Sequence, residues 1–248
     1  MSTTQAITPE CLWPAGATLG EGVLWDAAAG RVWFVDIKGR RIHRCAPDGS
    51  ERRSWDAPGQ VSFIVCAGGG MMVCSLDDGL YLFSEETGSF APLMSVEAGL
   101  PGNRFNDGHV DAQGALWFGS MDDAEEQPSG ALYRLDGGRL ARMDEGYIIT
   151  NGPAVSPNGR TLYHTDTLAK RIHAFDLAAD GSLSNKRPFV ELKDGGYPDG
   201  MAVDAGGHLW VATFGGWRID RFDALGNKVG EVCFPCANVT KLAFGGPD

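Results

Sequence analysis

The sequence predicts an all-β protein, a six-bladed β-propeller whose last blade is incomplete. The main observation is a repeated unit whose aromatic residues Trp117, Tyr163 and Trp210 follow one another at intervals of 46 residues (163 − 117) and 47 residues (210 − 163). A second observation is that no long stretch places apolar residues at the 3.6-residue spacing of an α-helix, so helices are at most minor. Short strands that repeat every ~40–50 residues are typical of propeller blades.

Each copy of the unit is an apolar run, a polar turn at or near glycine, and a second apolar run. This is the pattern of two antiparallel strands joined by a hairpin turn. In chain order the hairpins lie at residues 23–33, 63–74, 110–117, 155–163 and 203–210. A third apolar run follows each of them, at residues 41–44, 79–83, 131–134, 171–175 and 217–222. A β-sandwich would also contain many short strands, but it would not repeat itself so regularly.

A sixth unit begins at residues 238–244, and the sequence stops at Asp248 before a second apolar run could follow. We therefore expect a single propeller domain over residues 1–248 with a truncated C-terminal blade. Such a blade would present an open strand edge, which native proteins normally avoid.

The charge balance and the chain start restrict the partners of this protein. Lys and Arg number 21 against 32 Asp and Glu, a formal net charge of −11, which disfavours binding to nucleic acid or anionic membranes. No apolar run approaches the ~20 residues of a membrane span. Residues 1–9 have neither the basic start nor the apolar stretch of a secretory signal. We therefore expect a cytoplasmic protein that binds a small molecule.

Four polar residues occupy the same place in the repeat, directly before a glycine. They are Glu21, Asp107, Asn151 and Asp199. Because a pseudo-rotation axis relates equivalent positions of successive blades, we expect these side chains to meet at one mouth of the central channel. Oxygen ligands that converge from separate segments suit a hard divalent cation. Asp-Gly and Asn-Gly are also common turn pairs, but turn chemistry does not require an acid or amide at the same repeat position of four units. The second unit and the partial sixth unit lack the acid.

Further polar side chains precede Asp107. Arg104 and Asn106 could hydrogen-bond the hydroxyl and carbonyl groups of a small polar ligand; the alternative is a solvated arginine beside turn-forming asparagines. The acidic run at residues 122–130 is interpreted as a solvated loop, one of whose glutamates could also cover the pocket. Cys233 and Cys236 form a lone C-x-x-C with no second pair, which argues against a zinc site.

Four ordered segments resemble the SMP-30/gluconolactonase/luciferin-regenerating-enzyme family. They lie at residues 19–22, 103–108, 149–157 and 197–204, and the match covers essentially the whole chain. The similarity is greatest to bacterial sugar lactonases of the gluconolactonase, xylonolactonase and arabinonolactonase type. The resemblance implies a six-bladed propeller that hydrolyses sugar-acid lactones to aldonic acids. It also implies one divalent metal ion at the channel mouth, which could be Ca, Zn, Mn, Mg or Fe(II).

The resemblance implies roles for individual residues. Glu21, Asn151 and Asp199 would be the metal ligands, and Asp199 would also be the catalytic general base. Arg104 and Asn106 would bind the sugar lactone. Asp107, a candidate metal ligand by its repeat position, would instead lie beside them in a substrate-binding or supporting role. Two alternatives stay open: a related propeller hydrolase that acts on other esters or phosphotriesters, and a non-catalytic propeller that binds a protein.

Overall fold

The computed structural model describes residues 8–246, which form five four-stranded antiparallel sheets, here called blades one to five. Blade one contains β1 (Gly20–Asp26), β2 (Arg31–Asp36), β3 (Arg41–Cys45) and β4 (Arg53–Asp56). Blade two contains β5 (Ile64–Gly68), β6 (Met71–Leu76), β7 (Gly79–Phe83) and β8 (Phe90–Ser95). Blade three contains β9 (Asn103–Val110), β10 (Leu116–Asp122), β11 (Gly130–Asp136) and β12 (Arg139–Tyr147). Blade four contains β13 (Thr150–Val155), β14 (Thr161–Asp166), β15 (Arg171–Leu177) and β16 (Leu183–Glu191). Blade five contains β17 (Tyr197–Val203), β18 (Leu209–Phe214), β19 (Arg218–Phe222) and β20 (Lys228–Cys233).

The predicted hairpins are the first two strands of each blade, and the third apolar run is the third strand. In blades three and five, a turn aspartate binds the aromatic residue of the repeated unit. Asp111 accepts the N–H groups of Gln113 and Ala115, both at 2.9 Å, and its second oxygen accepts the indole N–H of Trp117 at 2.8 Å. Asp204 accepts the indole N–H of Trp210 at 2.9 Å in the same way. The aspartate therefore fixes both the turn and the aromatic side chain that follows it.

The hydrophobic core lies between successive blades. Blades one and two, two and three, three and four, and four and five each share one cluster of buried apolar side chains. Burying a large apolar side chain contributes ~1.5–3 kcal/mol to stability. Large buried members of these clusters are Trp33 between blades one and two, Phe118 between two and three, Trp117 between three and four, and Tyr163 between four and five.

The all-β propeller is confirmed, but the prediction of six blades is wrong. The described residues form five blades, and after β20 they form one isolated bridge, between Phe214 and Asn238. The predicted sixth unit supplies one apolar run, and a four-stranded sheet needs several runs that pair with one another. That run instead packs on blade five, where Val239 is buried beside Ala212 and Ile219. Residues 247 and 248, part of the predicted next turn, lie outside the described residues.

Two further expectations concern partners and location. Within residues 8–246 we find no helix with the length and apolar character of a membrane crossing. All six cysteines are free. Residues 1–7, on which the argument about a secretory signal rests, lie outside the described residues.

Candidate active site

One cavity of about 330 Å³ collects five of the six predicted site residues. It lies at the end of the channel where the innermost strands β1, β9, β13 and β17 begin. Its polar lining residues are Glu21, Arg104, Asn106, Glu125, Asn151, Thr167 and Asp199. Its apolar lining residues are Leu19, Met121, Ile149, Leu168, Tyr197 and Phe214. The sixth predicted residue, Asp107, is buried at 1% exposure and is not among the residues that line this cavity.

The polar residue of each acid–glycine or asparagine–glycine pair lies within an innermost strand, not in a turn. The register in which each of these strands pairs with the next strand is irregular beside the polar residue. The register of β1 shifts directly after Glu21, and that of β13 shifts directly after Asn151. In β17 the shift begins one residue before Asp199. A β-bulge of this kind redirects a side chain out of the regular alternation of a strand. The recurrence of this irregularity in three blades therefore explains how separate blades direct polar side chains to one cavity.

The glycine of each pair is required by close packing. Gly22 has a φ of +57°, and a Cβ there would lie 3.0 Å from the Ser62 carbonyl oxygen. A Cβ at Gly108 would lie 2.8 Å from the Phe63 ring. The N–H of the glycine also donates to the preceding acid, at 2.9 Å for Glu21. These pairs are therefore not turn pairs. The glycine allows close packing of the backbone against neighbouring residues, and its N–H donates a hydrogen bond to the preceding carboxylate.

The two carboxylates in the cavity have few hydrogen-bond partners. In the described part of the chain, Glu21 and Asp199 each accept one hydrogen bond, from the N–H of the following glycine. Burial raises the pKa of Glu21 to about 8, and the nearby Asp107 carboxylate adds to the shift. Burial also raises the pKa of Asp199 well above its usual range, with further contributions from Glu21 and Asp107. Both groups would be stabilised in their charged form by a positive charge placed between them.

Asp107 lies behind the cavity, and hydrogen bonds occupy both of its carboxylate oxygens. Its two carboxylate oxygens lie 2.7 and 2.6 Å from Nζ of Lys241. It also accepts the N–H of Gly108 at 2.7 Å and the N–H of Gly152 at 3.0 Å. Burial raises the pKa of Asp107, whereas Lys241 opposes that shift. Through Gly152, Asp107 holds the backbone directly after Asn151.

A hydrogen-bond chain connects the predicted substrate residues to a predicted metal ligand. Arg104 Nη1 donates to Oδ1 of Asn106 at 2.7 Å. Nδ2 of Asn106 donates to Oδ1 of Asn151 at 3.0 Å and to the Thr150 carbonyl at 2.6 Å. Nδ2 of Asn151 donates to the Thr167 hydroxyl at 3.0 Å, which fixes the Asn151 amide with its oxygen toward Asn106. This arrangement leaves Oδ1 of Asn151 with a second lone pair.

Sequence reasoning missed several residues around the cavity. Asp123 accepts Nε of Arg104 at 2.7 Å and Nζ of Lys38 at 2.6 Å. Glu125, from the acidic run, lines the cavity, which agrees with the second interpretation of that run. Lys241 was missed although the run 240–244 has the same pattern as 199–203. In that alignment Thr240 stands in the place of Asp199 and Lys241 in the place of Gly200.

The cavity presents oxygen donors of the kind that a divalent cation binds. Within residues 8–246 no group of three or more His, Cys, Asp and Glu side chains is arranged to hold a metal ion. The cavity offers two carboxylates and one amide oxygen, from Glu21, Asp199 and Asn151. Carboxylate and amide oxygens are the ligands of hard divalent cations, with water completing the coordination. Because the two carboxylates lack a cationic hydrogen-bond partner in the described chain, this donor set fits such an ion.

The family profile of the SMP-30/Gluconolactonase/LRE-like region matches residues 19–248. The chain belongs to this family. Among its relatives, L-arabinolactonase of Azospirillum brasilense is 35% identical over 237 residues, covering 92% of this chain and 78% of the relative.

Solved structures of relatives have the same fold. A calcium-binding protein, regucalcin, from Agrobacterium tumefaciens superimposes with a TM-score of 0.90 at 32% identity, covering 94% of this chain and 80% of that chain. A gluconolactonase from Xanthomonas campestris superimposes with a TM-score of 0.79 at 28% identity, covering 92% of this chain and 80% of that chain.

Proposed function

We propose that this protein hydrolyses sugar-acid lactones to the corresponding aldonic acids, with a divalent cation in the cavity. The observation that carries the proposal is the pair of buried carboxylates, Glu21 and Asp199, in one cavity with Arg104 and Asn106. Relatives named as an L-arabinolactonase, a 6-deoxy-6-sulfogluconolactonase and a gluconolactonase support the lactone as substrate class.

Glu21, Asn151 and Asp199 would hold the cation. When bound, a divalent cation in this position polarises the lactone carbonyl and stabilises the oxygen charge that develops on it. The name of the calcium-binding relative supports a divalent ion. The two carboxylates would balance its charge of +2, and the amide of Asn151 is already oriented by Thr167 and Asn106.

Asp199 would act as the general base. Its carboxylate takes a proton from the attacking water, whose oxygen bonds to the lactone carbonyl carbon. The ring C–O bond then breaks, and the proton passes to the ring oxygen, which becomes the new hydroxyl of the aldonic acid. A positioned base contributes ~10²–10⁴-fold to such a reaction.

Arg104 and Asn106 would orient the substrate. Nε and Nη1 of Arg104 are held by Asp123, the Phe105 carbonyl and Asn106, whereas Nη2 has no hydrogen-bond partner in residues 8–246. A guanidinium held on one side presents its remaining N–H groups in a fixed direction, which suits sugar hydroxyls. Asp107 would support the site from behind, since its oxygens are occupied by Lys241 and two backbone N–H groups.

Lactone hydrolysis is tested by titrating the released acid at constant pH with D-glucono-, D-xylono- and L-arabinono-lactone. The proposal expects turnover well above spontaneous hydrolysis, loss of turnover after chelation, and recovery when Mn²⁺, Ca²⁺ or Zn²⁺ is added. Turnover of a phosphotriester instead would favour the alternative hydrolase, and no turnover of either class would favour a binding propeller.

The cytoplasmic location and the single-domain organisation stay predictions.

A further inference from the structure

The buried pair of Asp107 and Lys241 is a feature that the proposed reaction does not use. Both side chains are almost fully buried, at 1% and 8% exposure, and both carboxylate oxygens contact the ammonium group. A buried pair of this kind costs desolvation energy and is by itself weak evidence for stability. The pair lies beside the carboxylates of Glu21 and Asp199, which points to an electrostatic role in the active site.

Lys241 is held at the centre of the propeller by its own backbone segment. The carbonyl oxygen of Thr240 accepts the N–H of Gly200 at 2.8 Å, and the Thr240 hydroxyl donates to the Gly20 carbonyl at 2.6 Å. The segment therefore lies between the innermost strands of blades one and five, directly beside Glu21 and Asp199. A Cβ at Gly200 would lie 2.3 Å from Cδ of Lys241, so the glycine makes room for the lysine stem.

The charges around the cavity then follow a simple count. Glu21, Asp107 and Asp199 carry three carboxylates, and the ammonium of Lys241 acts electrostatically on all three. Arg104 and Lys38 both contact Asp123, which leaves one positive charge, and the cavity-lining Glu125 offsets it. With Asp107 neutralised by Lys241, two uncompensated negative charges remain, which equals the charge of one divalent cation.

We propose that the Asp107–Lys241 pair sets the cation affinity of the active site, with Lys241 weakening and Asp107 strengthening the binding of a divalent ion. The inference rests on the cation site of the proposed function. In a medium with an effective dielectric constant of about 20, a unit charge several Å from a divalent ion changes the affinity of the site for that ion strongly. The fold-changes should therefore be on the order of tenfold or more.

The test is the binding of Mn²⁺ to the metal-free full chain, measured by isothermal titration calorimetry. Lys241→Met removes the positive charge and should bind Mn²⁺ at least about tenfold more tightly than the wild type. Asp107→Asn removes a negative charge and should bind it at least about tenfold more weakly. The double variant Asp107→Asn/Lys241→Met is neutral like the native pair and should lie close to the wild type.

Two controls separate a charge effect from structural damage. Lys241→Arg keeps the charge and should stay within about threefold of the wild type. Lys228 pairs with another buried aspartate, Asp220, and neither residue lines the cavity. Lys228→Met breaks this pair and should leave the Mn²⁺ affinity unchanged. A purely structural pair would instead give weaker binding in every variant at residues 107 and 241.

The outcomes distinguish this inference from the proposed function. A wild type that binds no Mn²⁺, Ca²⁺ or Zn²⁺ overturns the cation site and the inference together. A wild type that binds a cation, with Lys241→Met equal or weaker, overturns the inference alone. If Lys241→Met does not fold, the comparison between Asp107→Asn and the double variant decides, because removal of Lys241 must then tighten binding.

Discussion

Individual side chains in this protein are tuned mainly by burial. Glu21 and Asp199 are both 6% exposed and receive one backbone N–H each, so their charged forms are poorly stabilised by the described chain itself. A carboxylate in this state binds a cation or accepts a proton readily, which are the two properties a metal-assisted hydrolase requires.

Asp199→Asn should abolish lactone turnover while the fold persists. The amide keeps the volume of the side chain and removes the negative charge, so kcat should fall by ~10²–10⁴-fold. Asp199 is buried and has no side-chain hydrogen-bond partner in the described chain, so its charge costs stability. Because the variant removes this charge, the melting temperature should not fall. Titration of acid release and thermal unfolding measure both quantities. Asp180→Asn, at an exposed turn, is the matched control, and turnover of Asp199→Asn within tenfold of the control would contradict the general-base role.

His164 should make the stability of the protein depend on pH. Its ring is fully buried, and burial lowers its pKa to about 3. Between that pKa and ~6.5 the unfolded chain binds a proton that the folded chain does not, so the free energy of unfolding falls as pH decreases, by up to ~1.4 kcal/mol per pH unit.

The replacement His164→Phe isolates this contribution, because it keeps an aromatic ring against Tyr147, whose centroid lies 4.9 Å away. Urea unfolding at pH 4.5 to 7.5 should give a shallower loss of stability at low pH for the variant than for the wild type. Parallel curves for the two proteins would show that His164 does not titrate as expected.

At the scale of the elements, the hairpin turn after β9 is fixed by a side chain as well as by glycine. Asp111 is 8% exposed and satisfies two backbone N–H groups together with the indole of Trp117, which is fully buried. Asp48, in the turn between β3 and β4, accepts the N–H and hydroxyl of Ser50, and no indole N–H within residues 8–246 donates to it. The two turns therefore differ in what the aspartate supports.

Asp111→Ala should lower the free energy of unfolding by about 2–4 kcal/mol, since it leaves a buried indole N–H and two backbone N–H groups without their partner. Asp48→Ala removes comparable hydrogen bonds at an exposed site and should cost ~1 kcal/mol or less. Chemical denaturation of both variants compares them directly. Equal losses would mean that the Asp111–Trp117 bond contributes little.

For the whole molecule, stability comes from apolar clusters between blades, and four blades contribute residues to the lining of the cavity. The segment after β20 adds to this arrangement, because Val239 packs on blade five while Thr240 and Lys241 contact blades one and three. A ligand bound in the cavity therefore joins blades that are distant in sequence.

A divalent cation should raise the melting temperature of the metal-free protein. Binding to the folded state alone adds ~2.7 kcal/mol to the free energy of unfolding at a concentration of 100 times Kd. Thermal unfolding with and without Mn²⁺ or Ca²⁺ measures the shift, and chelation should reverse it. Glu21→Gln should lose most of the shift, whereas Glu51→Gln, an exposed glutamate, should retain it. A shift that survives Glu21→Gln would place the cation elsewhere.

Much of the site could be predicted because its signals are local. Glu21, Asn151 and Asp199 each precede a glycine at one position of a repeat, and the strand that holds them is built from neighbouring residues. The first three strands of each blade were predicted for the same reason. The fourth strands β4, β8, β12, β16 and β20 were not, because few of their side chains are buried and no apolar run marks them.

The sequence alone determined the propeller architecture, the family and the polar residues that share the cavity, since hairpins and repeat positions depend on residues close together in the chain. Only the tertiary structure decided that the described residues form five blades, that Asp107 turns away from the cavity, and that Lys241 pairs with it. That pair joins residues 134 positions apart. The packing of whole blades brings Asp107 and Lys241 together, and no pattern of residue spacing in the sequence predicts such a contact.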